Sequence, residues 1–136
     1  GSEYAYPNGV VVSRNGRYAY ISGWITRDLH KYDLKEEKEV AKCDLPFMPD
    51  NLTWKPDGKI LAAGIKGVSG NCPEDSRHPC LQGFMLAEVD PETLEHRILY
   101  DNGGKALING VSVAIDAGDA YYVGSFQGDR IVRVPR

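Results

Sequence analysis

The sequence lacks the features of several common protein classes. Its 16 basic and 19 acidic residues are well mixed and leave a formal net charge of −3. No basic stripe is available to bind phosphates, so nucleic acid is not an expected partner. No apolar run approaches the roughly 18 residues of a membrane-spanning helix. With 42% hydrophobic and 26% charged residues, the composition is that of a globular domain and excludes intrinsic disorder.

Cysteine is also scarce, with three residues in 136. Cys72 and Cys80 lie in a polar stretch, where they are predicted to form a disulfide in an oxidising compartment, to stay as free thiols, or to bind a metal with His78. Cys43 lies in an alternating strand and is predicted to be a small buried apolar residue. Localisation is not fixed by this pattern. We expect a soluble protein, cytoplasmic or, with a Cys72–Cys80 disulfide, secreted or periplasmic.

Helical periodicity is almost absent, and the sequence instead repeats a strand-turn-strand motif. Residues 48–59 contain alternating apolar and polar positions, followed by the turn tripeptide Pro56-Asp57-Gly58. Residues 8–17 repeat this motif without a gap, and residues 110–119 form a third copy. Each copy is followed by a strand rich in small residues and then by a charged strand. Repeats of strand-turn-strand units at this period indicate a propeller or a solenoid.

The repeats predict an all-β chain organised as a half β-propeller of three four-stranded antiparallel blades. Blade one covers about 8–45, blade two about 49–101 and blade three about 108–136. The chain's own strands number four, four and three, so the outer strand of blade three is expected to come from residues 3–6 or from a partner. Propellers typically have four to eight blades. We therefore expect two copies to pair by two-fold symmetry into a six-bladed ring, as a homodimer or a higher even oligomer.

The start of each repeat contains the candidate ligands. Asn8 aligns with Asp50, which is followed by Asn51, and these short oxygen-bearing side chains are placed to line a shared site. The alternative for each residue is local, because Asn and Asp also stabilise turns and strand entries through their own backbone. The ungapped alignment puts Gly110 at this position in the third repeat. Blade three is therefore expected to provide no ligand there.

Several segments resemble a known family. They are PNGV at residues 7–10, RNGRYAYIS, LPFMPDNLTWKPDGKILAAG and LYDNGGKALINGVSVAIDAGDAYYVGSFQGDRIVRVP. Together they resemble the second half of the paraoxonase/arylesterase-like proteins, which belong with regucalcin, gluconolactonase and strictosidine synthase among the six-bladed calcium propellers. The resemblance implies a calcium ion, or another divalent cation, at the top of a central tunnel. It also implies that Asn8, Asp50 and Asn51 are metal ligands.

The function implied by this resemblance is calcium-dependent hydrolysis of a small lactone or ester, in which the metal polarises the carbonyl and positions a water. The family's remaining ligands and its catalytic histidines lie in the half that has no counterpart here. Catalytic residues are therefore not assigned, and no organic cofactor is expected. Two alternatives stay open: a non-catalytic propeller fragment or interaction module, and a strictosidine-synthase-like scaffold without metal, in which Glu3 and Asp50 are the acidic candidates.

The remaining candidates are predicted to be structural. His30 is expected at the surface or edge of blade one. Trp24, Trp54 and Phe126 are expected to pack between blades. Ser112 and Ser125 have no His-Asp arrangement nearby in the sequence, so a serine nucleophile is not expected.

Overall fold

The computed structural model describes residues 3–68, 81–103 and 107–136, which form strands joined by turns and loops. Blade one contains β1 (Pro7–Val12), β2 (Tyr18–Gly23), β3 (Asp28–Asp33) and β4 (Lys38–Asp44). Blade two contains β5 (Met48–Trp54), β6 (Ile60–Val68), β7 (Leu81–Val89) and β8 (His96–Asp101). Blade three contains β9 (Val111–Asp116), β10 (Ala120–Ser125) and β11 (Val132–Pro135). None of the described residues forms a helix that is long and apolar enough to cross a membrane.

Each blade is an antiparallel sheet in which strands that follow one another in sequence are neighbours. Blades one and two have four strands, and blade three has three strands in the described part of the chain. The all-β fold of blade-like sheets is therefore confirmed. Short turns, such as those between β1 and β2 and between β5 and β6, favour this up-and-down order because they join antiparallel neighbours.

The N-terminal segment lies against blade one. The backbone N–H of Trp24 donates to the carbonyl of Tyr6, which extends the edge of the β1–β2 pair. The ring of Tyr4 lies on the ring of His30, with 4.6 Å between their centroids. Residues 3–6 therefore do not provide the outer strand of blade three within the same chain, because they are held on the opposite side of the molecule from β11. A strand supplied by a partner stays a prediction.

The first apolar core fills the space between blades one and two. Its members come from both sheets and from the connection between them, and the buried ones are Tyr20, Leu29, Leu45, Phe47, Leu52, Ile60, Ala62, Ala87, Val89 and Leu94. Tyr20 meets Trp54 edge-on at 5.7 Å between ring centroids, and its hydroxyl donates to the carbonyl of Pro91. Trp54 therefore packs between blades as predicted. Cys43 is half-buried at the margin of this core, and burial raises the pKa of its thiol to about 11.

The second apolar core lies between blades two and three. It is built from Leu61, Ala63, Phe84, Leu86, Ile108, Val111, Ala114, Tyr121, Val123 and Val134. Alternate residues of β6 divide between the two cores, because successive side chains of a strand point to opposite faces of its sheet. Blade two is thus covered on both faces, whereas blades one and three each have one face packed against blade two.

The first strands of the three blades run side by side. The indole Nε1 of Trp54 in β5 donates to the carbonyl of Val12 in β1 at 3.0 Å. Thr53 in β5 donates through its hydroxyl to the carbonyl of Ala114 in β9 at 2.7 Å. β5 therefore lies between β1 and β9, and the beginnings of these inner strands meet at one end of the molecule.

An ion-pair cluster lies at the other end of β5, between blades two and three. The ammonium of Lys55 contacts the carboxylates of Asp57, at 2.9 Å, and Glu88. Asp116 on β9 approaches the same ammonium at 4.0 Å and also pairs with Arg136. The Lys55 side chain is only 3% exposed. The end of β5 that lies away from Asp50 is therefore fixed by charge as well as by apolar packing.

The first hairpins of the three blades differ in length. Their innermost backbone bonds join Ser13 to Tyr18, Lys55 to Lys59 and Ala117 to Ala120. Gly16, Gly58 and Gly118 have φ of 69°, 84° and 92°, a region that favours glycine. Aligning the repeats on these glycines is correct for β1 and β5, but it shifts β9 by two residues because the third turn is shorter on its first side.

Candidate functional site

The first strands of blades one and two each carry a β-bulge at the same distance from the hairpin turn. In β1 the bulge contains Asn8 and Gly9, and in β5 it contains Asp50 and Asn51. A bulge places two residues opposite one and re-aims the side chains next to it. The predicted ligand stretches of the two repeats therefore occupy equivalent places on neighbouring strands.

The two bulges touch each other, and a buried serine joins them. A Cβ at Gly9 would lie 2.5 Å from the carbonyl oxygen of Asp50, so only glycine allows this approach. The hydroxyl of Ser22 on β2 accepts from the N–H of Gly9 at 2.7 Å and donates to the carbonyl of Asp50 at 2.5 Å. Ser22 is fully buried. It is a positioning residue that the sequence did not reveal, because a small polar residue in a strand has no distinctive pattern.

In blade three the bulge falls at Ser112, between the pairs that β9 makes with Gly124 and Ser125. Counted from the innermost hairpin bond, Ser112 stands where Asn8 and Asp50 stand in their blades. The expectation that Gly110 occupies this position is therefore wrong, and the reason is the shorter third turn. Blade three places a hydroxyl-bearing residue, rather than a glycine, at the equivalent register position.

Asn8 and Asp50 line one cavity of about 350 Å³, together with Trp24 and Phe126. Trp24 and Phe126 directly follow the second strands of blades one and three. They were expected to pack between blades, but the structure places them at this cavity instead. The cavity thus combines an amide and a carboxylate with two aromatic rings. Asn51 is not among its lining residues, and its amide nitrogen donates to Asp50 Oδ1 at 2.9 Å.

Asp50 is electrostatically unusual among the buried carboxylates. The others face cationic side chains, in the pairs Asp28–Lys42, Asp33–Arg17, Glu88–Lys55 and Asp116–Arg136. Asp50 is 7% exposed, and within the described ranges no cationic side chain lies within 4.0 Å of it. Burial raises the pKa of its carboxyl to about 6. Its negative charge is therefore poorly compensated by the protein itself.

The donors around this cavity suit a hard cation in chemical type but are few. Carboxylate and amide oxygens are the ligands that calcium prefers, and calcium takes six to eight of them. No group of three or more His, Cys, Asp or Glu side chains close enough to hold a metal occurs in the described part of the chain. Among the residues that the structure describes, Asp50 is the one carboxylate that lines this cavity. Most coordination positions of a bound cation would therefore be left to water, to a substrate or to groups outside this half-ring.

The other polar candidates lie elsewhere. His30 is buried, with its ring nitrogens 3.0 Å from Asp28 and 2.8 Å from Glu39, so the expectation of a surface histidine is wrong. Tyr4 and the two carboxylates enclose its ring. Glu3 lines a separate cavity of about 710 Å³ on blade one and does not join Asp50. Cys72, Cys80 and His78 lie outside the described residues, so their predicted chemistry stays a prediction.

Comparison with known proteins supports the fold. No protein-family model matches the sequence, and no curated protein matches it significantly. A Bacteroides caccae protein of unknown function is similar in structure at a TM-score of 0.59 and 12% identity, over 96% of this chain and 46% of that one. A Clostridium novyi protein described as a conserved lipoprotein is similar at 0.53 and 14% identity, over 100% of this chain and 88% of that one.

Regucalcin from Agrobacterium tumefaciens, a calcium-binding protein, is 16% identical over 99% of this chain and 55% of that one. Its TM-score of 0.42 is too low to support an inference. At these identities the comparisons show a fold of blade-like sheets and nothing about chemistry. The chain spans about half of the length of the first solved structure to which it is similar.

Proposed function

We propose that this chain binds a divalent cation, calcium, at the cavity between the inner strands of blades one and two, and that it serves a lactone or ester hydrolase of the calcium-propeller type. The observation that carries the proposal is the buried, uncompensated carboxylate of Asp50, which shares its cavity with the amide of Asn8. A cation at this place would remove the desolvation cost of that charge. The hydrolase part rests on the resemblance of the sequence segments.

Asn8 and Asp50 would hold the cation through side-chain oxygens, and Asn51 orients the Asp50 carboxylate through its amide hydrogen bond. A bound calcium supplies polarisation of a carbonyl and of a water. Trp24 and Phe126 provide an apolar wall beside the polar donors, which favours a substrate with a compact apolar body. No histidine in the described ranges lines this cavity, so the general base of the reaction is not assigned to this chain.

Calcium titration with thermal unfolding tests the cation site. Binding to the folded state alone stabilises it by about 2.7 kcal/mol at a hundred times the dissociation constant, so calcium should raise the Tm by several degrees. Asp50→Asn should abolish this shift while leaving the Tm in chelator equal or higher. Asp44→Asn, at an exposed position on β4, is the matched control and should keep the full shift. A calcium response that persists in Asp50→Asn would refute the ligand assignment.

The hydrolase is tested separately with aryl esters and lactones, in calcium and in chelator. Turnover that requires calcium and is lost in Asp50→Asn supports the proposal. Calcium binding without turnover would support the alternative of a non-catalytic binding module, and turnover that continues in chelator would remove the metal from the reaction.

A further inference from the structure

Blades one and three each have one face against which no other blade of the chain packs, and exposed apolar side chains remain on both faces. On blade one, Tyr4 covers the His30 ring on this face and leaves the valines of β1 exposed. On blade one, Val10 and Val12 are 60% and 47% exposed. On blade three, Ile115 and Tyr122 are 58% and 43% exposed. Each pair belongs to the face that points away from blade two, because the intervening residues of the same strands contribute to the two cores.

Strand register shows what kind of surface the open face of blade one is. Counted from the hairpin bond, Val10 and Val12 stand where Leu52 and Trp54 stand in blade two. Leu52 and Trp54 form part of the face by which blade two packs onto blade one. The open face of blade one therefore carries apolar residues at the positions that, in blade two, pack against the preceding blade.

The open face of blade three carries an aromatic residue at the position that, in blade one, packs against the following blade. By the same count, Tyr122 stands where Tyr20 stands in blade one. Tyr20 is the residue that meets Trp54 across the first core. Tyr122 of one blade three would therefore oppose Val12 of another blade one, as Tyr20 opposes Trp54 within the chain.

Charged side chains beside these faces are already paired within the chain. On blade one, Asp28 faces the ammonium of Lys42 at 3.9 Å, and Glu39 is hydrogen-bonded to the His30 ring; on blade three, Arg133 pairs with Asp119 at 2.7 Å. An approaching blade would therefore bury few uncompensated charges, which removes the largest cost of such an interface.

We propose that a second copy of this chain is the occupant of both faces: blade three of each copy packs on blade one of the other, and the two copies close a six-bladed ring. The contact continues the interfaces that already join blades one, two and three. Because the two faces differ, repeated contacts either close or form a filament. Two copies give six blades, which is within the typical range of four to eight, and three copies give nine, which is outside it.

Closure also affects the cation site, and this consequence rests on the proposed function. A two-fold axis through the ring would bring a second Asn8 and a second Asp50 to the same tunnel. The cation would then have two carboxylates instead of one, which a single half-ring lacks.

Sedimentation velocity in chelator tests the pairing independently of any cation. At micromolar concentration, the wild-type protein should have a molecular mass twice the 15.0 kDa of one chain. Val12→Asp and Ile115→Lys should each raise the dissociation constant at least about 100-fold, because each buries an unpaired charge. Val40→Asp, at an exposed position on the outer strand β4, is the matched control and should remain a dimer.

Mixing the two charged variants separates a lost interface from a lost fold. A mixed pair contains one fully wild-type contact and one contact between aspartate and lysine, so the mixture should form more dimer than either variant alone. Failure of this rescue, a monomeric wild type, or a dimer that both variants leave intact would overturn the proposal. Polymers larger than the dimer would show that the faces meet without closing a ring, which also overturns it.

Discussion

At the scale of single residues, Asp50 connects the structure to the proposed chemistry. Its backbone carbonyl is held against Gly9, which has no room for a side chain, and accepts a hydrogen bond from Ser22, while its carboxylate lines the cavity. A carboxylate in such a place is costly when charged, because burial removes its hydration and no basic side chain of the described residues compensates it. The same cost makes the position suitable for an external cation.

The raised pKa of Asp50 predicts a pH dependence of the metal-free protein. The pKa of its carboxyl is about 6 in the folded state, raised by burial from an ordinary value of 3.8. The contribution of Asp50 to the free energy of unfolding is therefore fully present below pH 4, where its carboxyl is protonated, and is lost as the pH rises to about 6 and above. The loss is on the order of 3 kcal/mol at most, at 1.36 kcal/mol per pKa unit. Asp50→Asn removes the effect.

The measurement is urea unfolding in chelator at pH 4.5 and pH 7 for both proteins. The stability advantage of Asp50→Asn should grow between these two values, since wild-type Asp50 must ionise in a desolvated place. Comparison with the variant cancels the opposite trend of carboxylates such as Asp33, whose pKa is held at about 2 chiefly by its hydrogen bond to Arg17. An advantage that is equal at both pH values would show that Asp50 is well solvated.

At the scale of strands, the position of each donor is set by register rather than by sequence spacing. β1, β5 and β9 each carry a bulge that includes the fifth residue before the hairpin bond, although their turns differ in length. This rule identifies Ser112 as the third residue of the series. It also explains why an alignment on the turn glycines selects Gly110 instead.

The register rule predicts a gain of function. Ser112→Asp would add a carboxylate at the position equivalent to Asn8 and Asp50, so calcium should bind at least about tenfold more tightly, in line with the dependence of affinity on ligand charge. Calorimetric titration measures the change. Gly110→Asp is the instructive control: Gly110 has φ of 60° and lies outside the bulge, so its variant should lose stability without gaining affinity. Equal affinities for wild type and Ser112→Asp would contradict the register rule.

The sequence predicts the strands and blades well because their signals are local. Alternation, small-residue strands and turn glycines are visible in a single chain, and they gave the all-β fold. The positions of Trp24, Phe126 and His30 were not predictable in this way. Each depends on which groups from other strands surround the side chain: two rings line the cavity of Asp50, and His30 is enclosed by Asp28, Glu39 and Tyr4. The roles of Asn8, Asp50 and Asn51 as metal ligands stay a prediction.

At the scale of the whole molecule, the blades are joined by polar as well as apolar contacts. Between blades one and two, the ammonium of Lys31 donates to the carbonyl of Pro91 at 2.8 Å and lies 4.5 Å from the ring centroid of Tyr18. Between blades two and three, the Lys55 cluster has this role. Both lysines bridge neighbouring sheets at places that apolar residues do not fill, so they fix how one blade sits on the next.

Removing the charge of Lys55 should therefore weaken the whole molecule. Lys55→Met removes the ammonium that Asp57, Glu88 and Asp116 share, and we expect a loss of about 2–3 kcal/mol of unfolding free energy. This loss is smaller than the roughly 3–5 kcal/mol that removal of one partner of a fully buried ion pair costs, because Arg97 also pairs with Glu88. The double variant Lys55→Met with Glu88→Leu should recover part of the loss. Denaturant titration measures both, with Lys38→Met, on an exposed strand, as the control.

An unchanged stability in Lys55→Met would mean that the apolar contacts alone hold blade three in place. A double variant as unstable as the single one would mean that shape, rather than the unpaired carboxylate, causes the loss. The two outcomes separate the electrostatic and steric contributions of this junction.

The unequal hairpins of the three blades have a practical consequence. The three turns differ by one or two residues in length, yet Asn8, Asp50 and Ser112 are each the fifth residue before the hairpin bond of their strand. A foreign peptide inserted beside Gly58 should therefore leave the positions of Asn8 and Asp50, at the other end of the inner strands, unchanged. A fluorescent label carried by that peptide would report on assembly of the blades without disturbing the side-chain oxygens of Asn8 and Asp50.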